Sequence, residues 1–581
     1  MNINKEDFVN LHGHSCFSLF DGFGFPQEHM DFAHGNGSKA LALTDHGSMN
    51  GLSYQLLRAK EMKAEGKDFK PIFGIEAYYI ESIDEWRVMK AEMSADKKRA
   101  KQIDTSKSAM VIEDEQRNDK RALSQKRHLV LLAQNQKGLE NIYEMVSKSY
   151  TGDYFYRKPR IDWAMLKKHS EGVIVLTACL GGIGAACMWE NQEAGEDVIV
   201  KSMADSFAKF KDTFGDRFYA ELQWNNIPEQ HLLNRCLIKV AKQLELKLVS
   251  TCDSHYPRPD AWKDREVYKR LGWLGKMPEW MDENIPSSVD EIGYELYPKN
   301  AHEMWESYKR YSNDLNIDYD DDLVLESITA TADIAFRQIE DFLPDTSIQL
   351  PSFMVPSDKS ADEALAELAD KALSVLLRGE TKTTKRQYRR RLDTELDVIS
   401  SQKFSEYFLA TKAITDFSWK YTFVGPARGS AAGSLLAFLL KITQIDPIKW
   451  DLPFERFLTH GSSGFPDIDI DFGDNSLIKN KMVEEWGEDS VAFISNFNTL
   501  QLSSLIKDIS KREGVDFTIV NKVTKAMFSE ATPLAKKRHG IRAGVYTPTF
   551  AEVVEFSDSL QQFFRDFPEI QAQVFGLIGQ P

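Results

Sequence analysis

Phe8-Val9-Asn10-Leu11-His12-Gly13-His14 is an apolar run that ends in two histidines. His12 and His14 stand at i and i+2, so on a strand both imidazoles share a face and can reach one cation. The arrangement recurs up to residue 260. Six further apolar runs, at 40–45, 71–79, 128–133, 172–178, 217–222 and 246–253, mostly carry a potential metal ligand at or near an end. Helical patterns such as 52–62 and 231–243 lie between them. Strands alternating with helices imply parallel βα units, and seven or eight such units imply a closed barrel whose functional groups collect at one end.

The candidate ligands are His12, His14, Asp21, His46, Glu76, His128, Cys179, Asp253 and His255. Asp253 and His255 repeat the i, i+2 spacing on the last run. Imidazole, carboxylate and one thiolate suit zinc, or zinc together with manganese or iron. Nine donors exceed one tetrahedral site and fit two or three ions. Such a centre makes a nucleophile from water near neutral pH and can attack a phosphate ester. Taken singly, a histidine near a strand end is more often a hydrogen-bonded structural residue, and a lone cysteine a small buried hydrophobe. Recurrence after successive strands argues for the metal.

A second constellation lies further along. Pro466-Asp467-Ile468-Asp469-Ile470-Asp471-Phe472 alternates acid and apolar residues, which is a strand pattern with three carboxylates on one face. Asp is depleted in strands, and like charges on one face repel unless a cation sits among them. Magnesium takes carboxylate oxygens and substrate phosphates together. A solvated strand face is the plain alternative. Upstream, Gly425-Pro426-Ala427-Arg428-Gly429-Ser430-Ala431-Ala432-Gly433-Ser434 precedes an apolar run at 431–441 that reads as a buried helix. With Ser430 as its cap, that helix start would offer backbone N–H groups to a phosphate, and Arg428 adds a fixed positive charge. Together the two segments point to nucleotidyl transfer.

The chain has 581 residues, enough for two to four domains, with 42% hydrophobic and 28% charged content, ordinary for a soluble globular protein. A net charge of −16 excludes a simple nucleic-acid coat but not an enzyme with local basic patches. One such patch, 385–391, reads first as a solvated helix face. No apolar stretch is long enough for a membrane span, and the polar start does not resemble a signal peptide. Five scattered cysteines fit a reduced compartment rather than a disulfide framework, so a cytoplasmic location is expected.

These motifs, in this order, resemble those of the C-family bacterial replicative DNA polymerases, the DNA polymerase III alpha subunits. Residues 8–15 and 18–22, Thr44-Asp45-His46-Gly47, Gly74-Ile75-Glu76, Thr177-Ala178-Cys179-Leu180-Gly181-Gly182 and Asp253-Ser254-His255-Tyr256 resemble the PHP (polymerase and histidinol phosphatase) motifs. Tyr407-Phe408-Leu409, 425–434, Phe454-Glu455-Arg456-Phe457-Leu458 and 466–472 resemble the palm. The resemblance implies a distorted seven-stranded (β/α) PHP barrel, a polymerase-β-like palm of mixed sheet and helices, and a helical thumb. It implies that Asp467 and Asp469 hold two magnesium ions and that Gly429-Ser430 and Gly433-Ser434 bind the triphosphate of a dNTP. The 3′-hydroxyl of a primer on its template DNA would attack the α-phosphate, and Asp471 would take a third acidic position of less certain role. In relatives that keep the PHP ligands, the centre supports 3′→5′ exonuclease proofreading; a purely structural metal is the rival reading.

The expected divisions are PHP at 1–283 with a charged surface insertion at 81–127, palm at 284–498 and thumb at 499–581. The family's third catalytic aspartate lies in a motif resembling Lys-Phe-Asp-Phe-Leu-Gly-Leu, which does not occur here. Fingers, clamp-binding segment and OB-fold would all lie beyond residue 581. The expectation is therefore a split or truncated polymerase, completed by a second polypeptide that supplies the third aspartate and the fingers and contacts the sliding clamp and other replisome proteins. The competing function is a stand-alone PHP phosphoesterase whose palm only binds DNA.

Overall fold

The computed structural model describes residues 3–581 except 104–121, 276, 279–280, 282–283, 348–354, 463, 493, 495 and 543. The middle of the charged insertion and part of the proline-rich stretch near 350 therefore lie outside the described residues. Two compact units form: Met1–Pro344 with Phe497–Pro581, and Asp345–Asn496.

In the first unit a sheet of seven strands curls around an apolar interior. The strands are β1 Ala40–Leu43, β2 Lys70–Ile80, β3 Arg127–Ala133, β4 Ile161–Asp162, β5 Val173–Leu176, β6 Phe218–Gln223 and β7 Lys247–Thr251. The ladder runs β1-β2-β3-β5-β6-β7, with the short β4 added to the end of β2. Strand periodicity divides the side chains cleanly. Ala40, Ala42, Ile72, Val130, Leu132, Ile174, Leu176 and Tyr219 form the interior cluster, while Phe73, Leu129, Leu131, Val173, Val175 and Phe218 face the covering helices.

Two expectations are corrected here. The run at 8–14 is not a laddered strand. It closes the barrel instead, with single bridges from Asn10 to Leu41 and from Gly13 to Ser254. The units are also not all parallel: β3 runs antiparallel to both β2 and β5. Parallel pairing needs a crossover that carries the chain back to the starting end. The segment between β2 and β3 leaves and re-enters at the same end, so β3 points the other way. Consequently His128, at the start of β3, lies at the end of the barrel where β2 and β5 finish.

The opposite end is plugged. Ile334, Ala335 and Ile339, at and just after a π-helical turn over Ile334–Gln338, complete the interior cluster. Ala301, Met304, Tyr308, Val324 and Ile328 of helices Ala301–Asp314 and Asp321–Asp333 join the outer core. The compact unit that contains the barrel runs to Pro344 and takes in these helices as its apolar cover. Helices Leu502–Arg512, Phe517–Arg538, Phe550–Phe556, Asp558–Asp566 and Pro568–Leu577 share a core with Phe23, Tyr256, Val267 and Tyr268 of the barrel.

The second unit is mostly helical: Ala361–Leu376, Lys382–Ser401, Ser405–Ser418, Leu435–Leu439 and Asn475–Trp486. Leu365, Leu373, Leu392, Ile399, Phe408, Leu436 and Phe454 form its core. Part of the basic run at 385–391 is structural rather than a solvated face. Tyr388 donates its hydroxyl to Asp446 (2.7 Å), and Arg391 donates to Glu395 (2.7 Å) and to the carbonyls of Gly433 and Leu452. The acid-rich segment is extended, but its only pairing among the described residues is the bridge between Val424 and Phe472. The expected palm sheet is thus not laddered here.

Candidate functional site

All nine proposed barrel donors meet at one end of the sheet. Glu76 stands two positions beyond Gly74 on the interior face of β2, and His128 shares the face of Val130 on β3, so strand period delivers both into the mouth. His12 Nε2 lies 2.7 Å from Glu76 Oε2 and 3.2 Å from Asp253 Oδ1. His14 Nε2 is 3.0 Å and 3.3 Å from the same two oxygens. His128 touches the other Glu76 oxygen, and Cys179 Sγ is 3.6 Å from His128 Nδ1. His46 Nε2 is 3.2 Å from Asp21 Oδ2, and His255 Nε2 is 3.8 Å from that oxygen. Three overlapping groups could each hold an ion: His14, His46 and His255; His12, His14, Glu76 and Asp253; His46, Glu76 and His128.

The electrostatics fit a cation. Burial alone would raise Glu76, yet the His128, His46 and His12 imidazoles hold it well below the usual carboxylate range. Burial likewise opposes charge on His14, but hydrogen bonds to Asp253 and Glu76 carry it up to about 9. Burial, with the nearby Glu76 and Asp253 carboxylates, pushes the Cys179 thiol well up, so it ligates only when a cation displaces its proton. Glu76 Oε1, Asp253 Oδ1 and His46 Nδ1 are buried, and their polar neighbours are other members of the donor set, in contacts that lack good hydrogen-bond alignment. So many buried, crowded donor atoms are costly unless an ion satisfies them. The donor set therefore fits divalent metal.

Three supporting residues escaped the sequence reading. Glu221 on β6 is fully buried and takes His12 Nδ1 at 2.7 Å and the Ala178 N–H at 3.1 Å. Ala178 sits at φ +63, so this bond holds the strained turn that presents Cys179. Arg265 donates to the Asp21 carbonyl (2.8 Å) and carboxylate. Asp45 accepts from the Ser15 amide and from the Ser15 and Ser18 hydroxyls, at 2.7 to 2.8 Å, and so shapes the loop that carries Asp21. A charged residue inside an apolar strand, as in Tyr219-Ala220-Glu221-Leu222, was the available signal for Glu221.

In the second unit, Asp467, Asp469 and Asp471 are exposed, while Ile468 and Ile470 pack against the core. Gly429 lies directly against the acids: a Cβ placed there would sit 2.7 Å from Asp469 Oδ2. Its φ of +63 with ψ −156 is a conformation reserved for glycine. Arg428 pairs with Asp471 at 2.8 Å, and the Gly425 amide donates to the Asp471 carbonyl at 2.8 Å.

The helix does not begin at Ser430. Residues Ser430–Gly433 form a 3₁₀ turn, and the helix Leu435–Leu439 starts after Ser434. Its first amides already hold the buried Glu395 carboxylate, with Leu435 N and Leu436 N each 2.9 Å away and the Ser434 hydroxyl at 2.9 Å. Gly433 and Ser434, expected to bind the triphosphate, are buried here, with the Ser434 hydroxyl on Glu395. Arg428, Gly429 and Ser430 remain the part of this loop open to a ligand.

Two family profiles match the chain. Residues 10–225 match the PHP domain profile, and residues 363–569 match the profile described as bacterial DNA polymerase III alpha NTPase domain. The DNA polymerase III subunit alpha of Aquifex aeolicus is 35% identical over 90% of this chain and 41% of its own length. That of Borreliella burgdorferi is 32% identical over 90% of this chain and 40% of its own, and that of Thermus aquaticus 28% over 91% and 44%. An amidohydrolase structure from Chromobacterium violaceum aligns at 15% identity, over 45% of this chain and 96% of that one, with a TM-score of 0.24 that carries no argument. The chain spans about two fifths of the length of the curated relatives it matches. It belongs to the DNA polymerase III alpha family, of which it carries the PHP domain and the alpha NTPase domain.

Proposed function

We propose that the chain is the PHP, palm and thumb portion of a DNA-directed DNA polymerase that extends a primer on template DNA with dNTPs. The observation that carries this reading is the seat of the Asp469 carboxylate against Gly429. Acid and phosphate-binding loop then face one space, and the missing side chain at Gly429 lets backbone approach a phosphate. Asp467 and Asp469 would hold two magnesium ions, which when bound neutralise the charge of a triphosphate. Arg428 supplies a guanidinium that cannot be titrated away, and Ser430 a hydroxyl for a phosphate oxygen.

A third carboxylate completes such a site, and none of residues 473–581 repeats the family motif for it. We assign it, with the fingers and the contacts to a sliding clamp, to the part of the relatives' length that this chain does not span. Among the described residues no helix is long and apolar enough to cross a membrane, and the five cysteines are free, which supports a cytoplasmic site of action.

The complete donor set of the barrel supports a second activity, 3′→5′ removal of nucleotides. His12, His14, Asp21, His46, Glu76, His128, Cys179, Asp253 and His255 would hold two or three ions of zinc, manganese or iron, which when bound supply Lewis acidity toward a phosphodiester. Glu221 orients the His12 ring, and Arg265 holds Asp21. The test compares His12→Ala with Asp467→Ala on single-stranded DNA and on primed template with the completing fragment. Nuclease activity should vanish only in the first variant and extension only in the second. Nuclease loss without any extension from the wild-type chain would leave only the phosphoesterase.

A further inference from the structure

Two lysines converge on one ring at the mouth of the metal centre. Lys126 Nζ lies 4.9 Å and Lys158 Nζ 5.7 Å from the centroid of Tyr78. The same ring stacks on the proposed ligand His46 (6.0 Å, 14°) and meets His128 at 5.4 Å. Among the described residues neither lysine has an ion-pair partner. Like charges gathered around one ring, with no salt-bridge partner for either, are unfavourable. An anion resolves that.

The two lysines come from separate segments, and one small core fixes both. Lys126 follows Leu123, which packs with Ile83 and Trp86. The Leu123 carbonyl accepts from Trp86 Nε1 (2.9 Å) and from Arg160 (3.4 Å). Lys158 sits on the hairpin Phe155–Tyr156/Lys158–Pro159, anchored by Arg160, which is buried, donates to the Asp153 carbonyl at 2.7 Å and lies over Trp86 at 4.2 Å. Pro159 abuts Gly47, where φ is +61 and a Cβ would meet Pro159 and Tyr78 at 2.9 Å. The described C-terminal end of the charged insertion and the 155–159 hairpin thus bring Lys126 and Lys158 to Tyr78. Beside it, Tyr150 and Phe155 stack on each other (5.8 Å, 25°) yet are 48% and 45% exposed. Exposed stacked rings next to unpaired cations are what unpaired bases and their phosphates use.

We propose that Lys126 and Lys158 bind a phosphate and that Tyr150 and Phe155 stack a base, forming a subsite that holds single-stranded DNA beside the barrel centre. This rests on the nuclease reading for its purpose but not for its test. In the full chain, binding of fluorescein-labelled (dT)6 is followed by anisotropy across a salt series. Lys126→Glu/Lys158→Glu should weaken binding on the order of tenfold or more and flatten the slope of log K against log salt by about 0.7 for each phosphate no longer neutralised. Ultraviolet crosslinking of 5-iodouracil-substituted (dT)6 should map to Tyr150 or Phe155. Unchanged affinity and slope in the double variant, or crosslinks only elsewhere, overturns the subsite whether or not the wild type cleaves DNA. Displacement of (dT)6 by inorganic phosphate at equal phosphate concentration would mark a bare anion site and overturn the strand assignment. Binding as expected with no cleavage by the wild-type chain in manganese would keep the subsite and remove the nuclease reading.

Discussion

The barrel centre and the acid-rich edge of the second unit are both clusters of charge, but they are built oppositely. His12, His14 and Glu76 are fully buried and each is held by neighbours before any ion arrives. Asp467, Asp469 and Asp471 stand in solvent, and the one salt bridge there, Arg428 to Asp471, joins side chains 62% and 59% exposed. A buried donor set is preorganised and holds a cation by itself. An exposed one needs ligand and further protein to exclude water before its charges act strongly. Burial is therefore the physical difference between the two clusters.

The largest expected effect separates the two clusters at the acidic edge. With the completing fragment present, Asp469→Ala should lower primer extension by at least about 10²–10³-fold, while the metal content of the dialysed chain, read by plasma mass spectrometry, stays at the wild-type value. Next comes the buried carboxylate that the second unit uses in place of a ligand. Glu395→Ala leaves two buried helix-start amides without their acceptor, while Arg391 keeps the Gly433 and Leu452 carbonyls, and should cost about 1–3 kcal/mol in urea unfolding of that unit. Third, Glu221→Ala should weaken metal affinity by about 10–100-fold, read by competition with a chelating dye, with Glu221→Gln retaining more. Equal affinity in both variants and wild type would show that the barrel ligands need no outer support.

How much of this was legible follows from what sequence pattern can see. Recurrence of His, Asp, Glu and Cys at the ends of apolar runs marked the nine donors, because strand period and ligand chemistry both show in one dimension. The direction of β3 did not show, since alternation is the same in either sense, so parallel pairing was expected where β3 is antiparallel to both neighbours. Glu221 looked like an interruption of an apolar run; its meaning depends on His12, more than two hundred residues earlier. Ser430 and Ser434 each follow a glycine and precede apolar residues, and nothing local distinguishes a start that awaits phosphate from one filled by Glu395. The helices at 301–333 went unread as the barrel's floor, because amphipathic pattern names a face and not its partner.

A smaller effect concerns His29, buried beneath the barrel mouth with Nε2 2.9 Å from the Phe23 carbonyl. Burial lowers it to about 4 from an ordinary 6.5. A folded value below the unfolded one means that its contribution is intact above pH 6.5 and is lost as pH falls toward 4. Thermal melting of the first unit should decline across that window, and less steeply in His29→Gln. The smallest change is Arg428→Ala, whose exposed pair should leave the melting temperature unmoved while raising the KM for dNTP.

Primer extension by the chain mixed with the polypeptide carrying the missing carboxylate, in magnesium, decides the polymerase assignment. Extension is expected from the wild-type mixture and none when Asp467 is replaced by alanine. Extension that survives Asp467→Ala, or none from the wild type with its cognate fragment, would contradict the assignment.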